Sequence, residues 1–344
     1  MKKLSVVCLG LCLLLSGWAA NAAVPYKGYQ LLAKISVPGD GGWDALAVDP
    51  AAGRLYVSHS TKVDIIDVSS NTVVGQVPGL AGVHAIAIAP DLGRGFISDG
   101  KAGRVIIFDL KTLAKLGSAE TGQNPDAILY DPATRNVFAF NGKSNDATVI
   151  GAASGRVLKT IKLDGKPEFA AADGRGHVYV NLEDKNSVAV IDAGKLAVAN
   201  NWPLAPGEGP TGLALDAKRQ RLFIGCGNKL MIVMNSETGQ VIASRPVGDR
   251  VDGTAFDPEL GLALSSNGDG SLTVVGRKAK DKYAVLENVP TQSGARTIAL
   301  DPLSHRVFLP VADFGPAPAP TAQRPHPRPA ILPGTFRVLV FSPK

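Results

Sequence analysis

Short apolar runs recur along the chain at nearly constant spacing, each closed by Asp or one stand-in, then by a turn and a second apolar run. The first runs read Ala45-Leu46-Ala47-Val48, Ala85-Ile86-Ala87-Ile88, Ala127-Ile128-Leu129-Tyr130, Phe169 to Ala172, Gly212 to Leu215, Gly253 to Phe256 and Thr297 to Leu300. Their closing residues are Asp49, Ala89, Asp131, Asp173, Asp216, Asp257 and Asp301, with gaps of 40, 42, 42, 43, 41 and 44 residues. Seven copies of a short-stranded unit at this period predict a radial or stacked array rather than one conventional core.

The turn after each closing residue is read from Asp49-Pro50-Ala51-Ala52-Gly53 and Asp257-Pro258-Glu259-Leu260-Gly261. Asp accepts backbone hydrogen bonds there, Pro presets φ, and Gly supplies the left-handed residue that returns the chain. Second strands follow, such as Arg54 to Val57, Val137 to Phe140, His177 to Val180, Arg221 to Ile224 and Arg306 to Leu309. Their branched and aromatic residues mark strands packed on both faces. Third strands are read at Val63 to Val68, Val105 to Leu110, Val188 to Asp192 and Lys229 to Met234, and fourth strands at Val73 to Val77, Val157 to Leu163 and Val241 to Val247.

Four strands per repeat predict an all-β, seven-bladed propeller. Ala stands two positions before the closing residue in six copies, Leu129 being the exception, as crowding around a common axis requires. The seventh copy has its first two strands and a third at Phe336 to Phe341, then ends at Lys344. A strand at Gln30 to Val37 precedes the first blade and is expected to complete the last one, closing the ring and removing an open edge.

Composition adds the compartment. Met1-Lys2-Lys3, the apolar run Leu4 to Leu15 and the small residues up to Ala22 have the order of a secretory signal, so residues 1–22 are expected to be removed and the propeller to span 23–344. The run is shorter than the roughly 20 residues of a membrane span. Cys8 and Cys12 leave with the signal, and Cys226 then stands alone. A periplasmic or secreted monomer stabilised by burial is expected. Formal charge is +6, and loss of Lys2 and Lys3 leaves +4. That excess, without a block of five or six basic residues, does not favour a nucleic-acid partner. An insertion at 313–334 in blade seven carries seven prolines, with Arg324, His326 and Arg328 among them. It reads as a rigid surface connector, or as a lid or docking strap.

Strands such as Arg54-Leu55-Tyr56-Val57-Ser58 and His177-Val178-Tyr179-Val180-Asn181 resemble the YVTN repeat. With Gly41-Gly42-Trp43-Asp44, Asn124-Pro125-Asp126-Ala127 and Pro333-Gly334-Thr335-Phe336, the chain resembles the YncE-like family of exported bacterial seven-bladed propellers. The resemblance implies an exported propeller and brings no catalytic residues. It also implies a second cysteine near Gly207, so that Cys226 here lacks a disulfide partner.

Loops entering the first strand and leaving the second open on the same face. The residue five places before each closing residue is expected to ring the channel mouth: Asp44, His84, Asp126, Glu168, Thr211, Asp252 and Arg296. A second tier is read from the ends of the second strands: His59, Asp99, Asn141, Asn181, Glu183, Asn228 and Asn267. Converging carboxylates and amides suit a polar or cationic ligand, or a hard cation such as calcium; a hydrated rim paired with Arg296 or nearby lysines is the structural alternative. Nucleophile-elbow, zinc-protease and phosphate-loop motifs are absent from the sequence. The leading expectation is therefore a binding module for a small ligand, peptide or partner protein. The alternative is a metal-dependent hydrolase resembling propeller lactonases, with Asp126 or Glu168 activating water.

Overall fold

The computed structural model describes residues 26–319, 321 and 329–344. The expected signal, and Arg324, His326 and Arg328 of the insertion, lie outside the described residues. Seven four-stranded antiparallel sheets form the blades. Blade one is Leu46–Asp49, Arg54–His59, Lys62–Asp67 and Thr72–Val77, and the next five repeat that meander. Blade seven takes Ala299–Asp301, Arg306–Val311 and Arg337–Pro343 from the end of the chain and Tyr29–Ser36 from its beginning. The closing strand pairs Gln30 with Ser342 and Ile35 with Val338, as expected from the missing fourth strand.

Turn chemistry follows the closing residue. Asp131 accepts the Ala133 and Thr134 N–H groups, and Asp257 those of Glu259 and Leu260. Where Ala89 replaces Asp, no side chain caps the turn. The chain instead makes a short 3₁₀ turn, Pro90–Leu92, ended by Gly93 at φ 61°, in the left-handed region that glycine enters without a Cβ clash.

The core is seven interfaces rather than one centre. Alternate residues of each strand face opposite neighbours, so every blade needs an apolar partner on both sides. Leu55, Val57 and Ile66 of blade one pack on Phe308, Val338 and Val340 of blade seven, while Tyr56, Val63 and Ile65 pack on Ile97, Ile106 and Phe108 of blade two. The remaining five interfaces are built alike. Arginines opening the second strands link consecutive blades. Arg306 Nη1 donates to Val68 O at 2.8 Å, Arg54 Nη1 to Leu110 O at 2.5 Å and Arg94 Nη1 to Ala152 O at 2.9 Å.

The insertion ends form a short ribbon, with Phe314 bridged to Ile331 and the Leu332 N–H donating to Asp313 O at 2.8 Å. It packs beside Trp43, whose ring lies 6.0 Å from that of Phe314 and stacks on Phe336 at 5.2 Å. Among the described residues no helix is long and apolar enough to cross a membrane.

Cys226 is fully buried, and burial pushes its thiol up to about 12. A Cβ at Gly207 would lie 2.8 Å from its Sγ and 2.7 Å from Ile232 Cγ1, so a disulfide is within reach once the Ile232 side chain gives way. Gly207→Cys is expected to form a 207–226 crosslink on oxidation, read by a non-reducing peptide map; unlinked peptides would show that the two backbones do not approach. Closure is tested separately. A chain begun at Pro38 loses the buried Tyr29 and Ile35 and opens an edge. It is expected to lose its single cooperative melting transition and to self-associate, with rescue by a peptide spanning residues 26–37. A monomeric, cooperative melt of the shortened chain would make that strand dispensable.

Candidate functional site

All seven residues of the expected ring line one cavity of about 350 Å³ on the axis, joined by Lys166 and Glu183. They reach it because each stands at or just before the start of an innermost strand, where seven chains converge. Close approach decides the neighbouring residue. A Cβ at Gly212 would lie 2.6 Å from Thr254 N, and one at Gly253 would lie 2.9 Å from Ile298 N. Only glycine fits between these strands.

Hydrogen bonds from one blade hold the ring residue of the next. Ser98 Oγ donates to Asp126 O at 3.1 Å, Asn181 Nδ2 to Thr211 O at 2.8 Å, and Thr297 Oγ1 to Asp44 O at 2.7 Å. Ser266 likewise donates to Arg296 O. The Asp44 N–H donates to Ser58 Oγ at 2.7 Å within blade one.

Three basic side chains and five carboxylates meet in the mouth. His84 Nδ1 lies 2.7 Å from Asp44 Oδ2 and 3.0 Å from Asp126 Oδ1. A Cβ at Gly100 would lie 2.4 Å from His84 Cδ2, so that glycine makes room for the imidazole. Lys166 Nζ lies 2.7 Å from Glu168 Oε1 and also contacts Glu183. Arg296 Nε lies 3.2 Å from Asp252 Oδ2.

Confinement shifts these groups. Burial pushes Glu168 up to about 7, with Lys166 opposing and the Asp126 and Glu183 charges adding to the rise. Burial pushes Asp252 up to about 6 against the pull of Arg296. Asp126 is also raised, chiefly by burial, with the His84 charge opposing. For His84 burial disfavours the proton, but the Asp44 hydrogen bond and the Asp126 and Asp44 charges outweigh it, so its value is raised. Lys166 is raised in the same way, burial being outweighed by Glu168 and Glu183.

The second tier divides differently from expectation. Asn141 and Asn267 are buried within their own blades and do not line the cavity. Asn141 Nδ2 donates to Asp146 Oδ1 at 2.6 Å and to Thr148 Oγ1 at 3.0 Å, and Asn267 Nδ2 donates to Ser271 Oγ at 3.0 Å and to Thr273 Oγ1 at 3.1 Å. The cause is strand alternation: the fifth residue of these second strands faces the next blade, while the sixth lies on the opposite face of its sheet, where Asn141 and Asn267 bond same-face side chains of their own third strands. Asn181 is at the fifth place, buried, and acts through the Thr211 backbone. His59 is buried against Asp64 at 2.8 Å, Asp99 accepts the Ala81 and Gly82 N–H groups, and Asn228 Nδ2 donates to Pro206 O. Of that tier only Glu183 lines the mouth.

Lys166 was missed, although a signal existed. Two places before the ring residue the copies read Gly42, Gly82, Asn124, Lys166, Gly209, Arg250 and Gly294. Of the three that depart from glycine, Lys166 enters the cavity and Asn124 Nδ2 approaches Asp126 Oδ2 at 3.5 Å.

Asp44, His84 and Asp126 also offer three ligand atoms within 4.8 Å of one another. One imidazole nitrogen with two carboxylates suits a borderline transition metal better than calcium, which takes six to eight oxygens.

No family model and no curated protein matches this sequence. Among solved structures, the chain is similar to a chain of hydrazine synthase from Kuenenia stuttgartiensis, with TM-score 0.68 and 17% identity over 79% of this chain and 94% of that one. It is also similar to a chain from the crystal structure of the mitotic checkpoint complex, with TM-score 0.71 and 12% identity over 99% of this chain and 98% of that one. At these identities the likeness is one of fold: a seven-bladed propeller.

The shifts make stability depend on pH. Glu168 rises from an ordinary 4.5 to about 7, so over that interval the native state holds a proton that the unfolded chain has released. Stability therefore falls as pH rises through the window and levels off above it. Asp252 acts alike between 3.8 and about 6. The raised His84 contributes stability that is full below 6.5 and lost as pH rises through its folded value. Glu168→Gln and Asp252→Asn are each expected to flatten the fall in melting temperature between about pH 5 and pH 8. A slope unchanged in both would show that these carboxyls titrate normally.

Proposed function

We propose that the protein is an exported β-propeller binding module whose axial mouth takes a cationic group, either a small amine or a basic side chain of a peptide or partner protein. The observation that carries the reading is the charge count. Asp44, Asp126, Glu168, Glu183 and Asp252 face His84, Lys166 and Arg296 in one cavity. Five acids against three bases leave two negative charges when all are ionised. Each base is already held by at least one of these acids. An incoming cation meets a net negative, partly desolvated mouth, where electrostatic attraction is stronger than in bulk water.

The propeller fold is consistent with interaction work, and one similar solved chain comes from a multiprotein assembly, the mitotic checkpoint complex. The resemblance of Arg54 to Ser58 and His177 to Asn181 to YVTN repeats, together with the basic and apolar start of the chain, supports a periplasmic or secreted location.

A second reading rests on Asp44, His84 and Asp126 as a three-ligand metal set. There a bound metal would polarise a substrate or a water, and Glu168, pushed up to about 7, is suited to exchange a proton near neutrality. Metal analysis of the purified protein and a lactone and phosphoester screen separate the readings. Metal-free protein without turnover removes the hydrolase.

For the binding reading, calorimetric titration with a short alkyl diamine and with a lysine-containing tripeptide is the direct measurement. Affinity is expected to rise with pH as Asp252 and Glu168 ionise, through about 6 and about 7. Asp252→Asn or Glu168→Gln is expected to weaken binding about tenfold or more, the scale of one charge-assisted hydrogen bond. Absence of binding by both probes, or affinity indifferent to both variants, would remove the mouth as a cation site.

A further inference from the structure

Blade six departs from the repeat at its outer edge. In blades one to five the third strand ends at Asp67, Asp109, Gly151, Asp192 or Asn235 and a turn follows at once. Four of these side chains fasten that turn: Asp67 accepts Ser70 N, Asp109 Thr112 N, Asp192 Lys195 N and Asn235 Thr238 N. The matching residue of blade six is Gly276, opposite Leu262. Here the strand runs on to Ala279 and the chain returns from Lys282. Arg277 pairs with Tyr283 and Ala279 with Lys282. A two-stranded ribbon thus extends past the point where the other blades turn.

That ribbon concentrates charge. Arg277, Lys278, Lys280 and Lys282 are exposed, and none makes an ion pair or side-chain hydrogen bond with a described residue. The one acid among them, Asp281, is taken by Arg221 of blade five, Nη2 to Oδ1 at 2.5 Å. Arg245 Nε, also of blade five, donates to Tyr283 O at 2.6 Å. These two contacts brace the ribbon from behind and leave its four cations outward. Neighbouring like charges repel, and Asp281, the one acid near them, is already engaged by Arg221, so four positive charges stand against one shared carboxylate.

What they fit is an anionic surface read by charge alone. The ribbon offers no exposed aromatic ring to stack on bases and no amide to read their edges. Four cations fall short of the roughly six to ten phosphate contacts of a typical duplex binder, whereas clusters of about four to eight are what anionic lipid headgroups attract. We propose that the Arg277–Lys282 ribbon docks the protein on an anionic lipid surface. In an antiparallel four-stranded blade the turn between strands three and four lies at the end opposite the mouth. Docking by the ribbon therefore leaves the axial cavity facing away from the surface, open to its ligand.

The full chain is expected to co-float at low salt with vesicles of phosphatidylcholine and phosphatidylglycerol at about three to one, and to stay behind with pure phosphatidylcholine. Lys278→Gln with Lys280→Gln is expected to lower the partition coefficient about thirtyfold. Lys101→Gln with Lys159→Gln removes the same net charge from exposed positions of blades two and three away from that turn and is expected to cost less than about threefold. Melting temperatures of both variants should match that of the parent. Equal losses in the two variants would reduce the effect to net charge and overturn the proposal. So would absence of binding to the anionic vesicles, or a duplex DNA fragment that strips the protein from them through the same lysines.

Discussion

Everything in this molecule depends on the apolar contact between successive blades. Each sheet is apolar on both faces, so none is satisfied alone, and a linear stack would leave two faces bare. Only a closed ring covers all of them. Seven blades close when Tyr29–Ser36 supplies the fourth strand of the last sheet. The first and last parts of the chain are thereby committed to one blade, and the axis is fixed in position. Loops that converge on this axis are held by hydrogen bonds that cross from blade to blade, such as Ser98 to Asp126 and Thr297 to Asp44. The mouth inherits its rigidity from the closure.

That rigidity is what allows five carboxylates to be held together. In a flexible loop cluster they would separate into water. Here Asp44 and Asp126 share the Nδ1 of His84, and Glu168 and Glu183 share Lys166. Burial first, and the neighbouring acids second, push Glu168 up to about 7 and Asp252 up to about 6. The fold does not require charge at this position, since Thr211 occupies it in blade five and only donates to Val251 O at 3.0 Å.

The ring was legible because a repeat carries its own alignment: a fixed offset from the closing residue brought seven distant side chains to one cavity. Asn141 and Asn267 were misplaced because a one-residue step along a strand turns a side chain to the other face. No closing residue marks that step at the end of the second strand. Lys166 was hidden for a different reason. Its offset is mostly glycine, which reads as loop geometry until the exceptions are compared. The shared contact of His84 with two carboxylates depends on how three blades approach one another, and no single repeat encodes that distance. The basic ribbon escaped because its four bases between Arg277 and Lys282, with Asp281 among them, fall short of a block of five or six, and they become conspicuous only when their strand is seen to outlast those of the other blades.

In a repeat protein the fold is specified by what the copies share, so function must be borne by what they do not. The departures in this chain segregate to opposite ends of the disc. At the mouth the departures leave acids in excess, five against three bases; at the turn between strands three and four of blade six they leave bases in excess, four against one acid. The same scaffold thus presents a net negative cavity and a positive arm that cannot neutralise each other, because the thickness of a blade lies between them and exceeds the screening length of about 8 Å at physiological salt. Two oppositely charged sites separated in this way would let the proposed cation site and the proposed docking arm be occupied at once. An acidic cavity turned toward an anionic surface would be repelled by it, whereas one turned away stands free for cations. The polarity of the disc is therefore what makes a docking arm and an open mouth compatible in one small molecule.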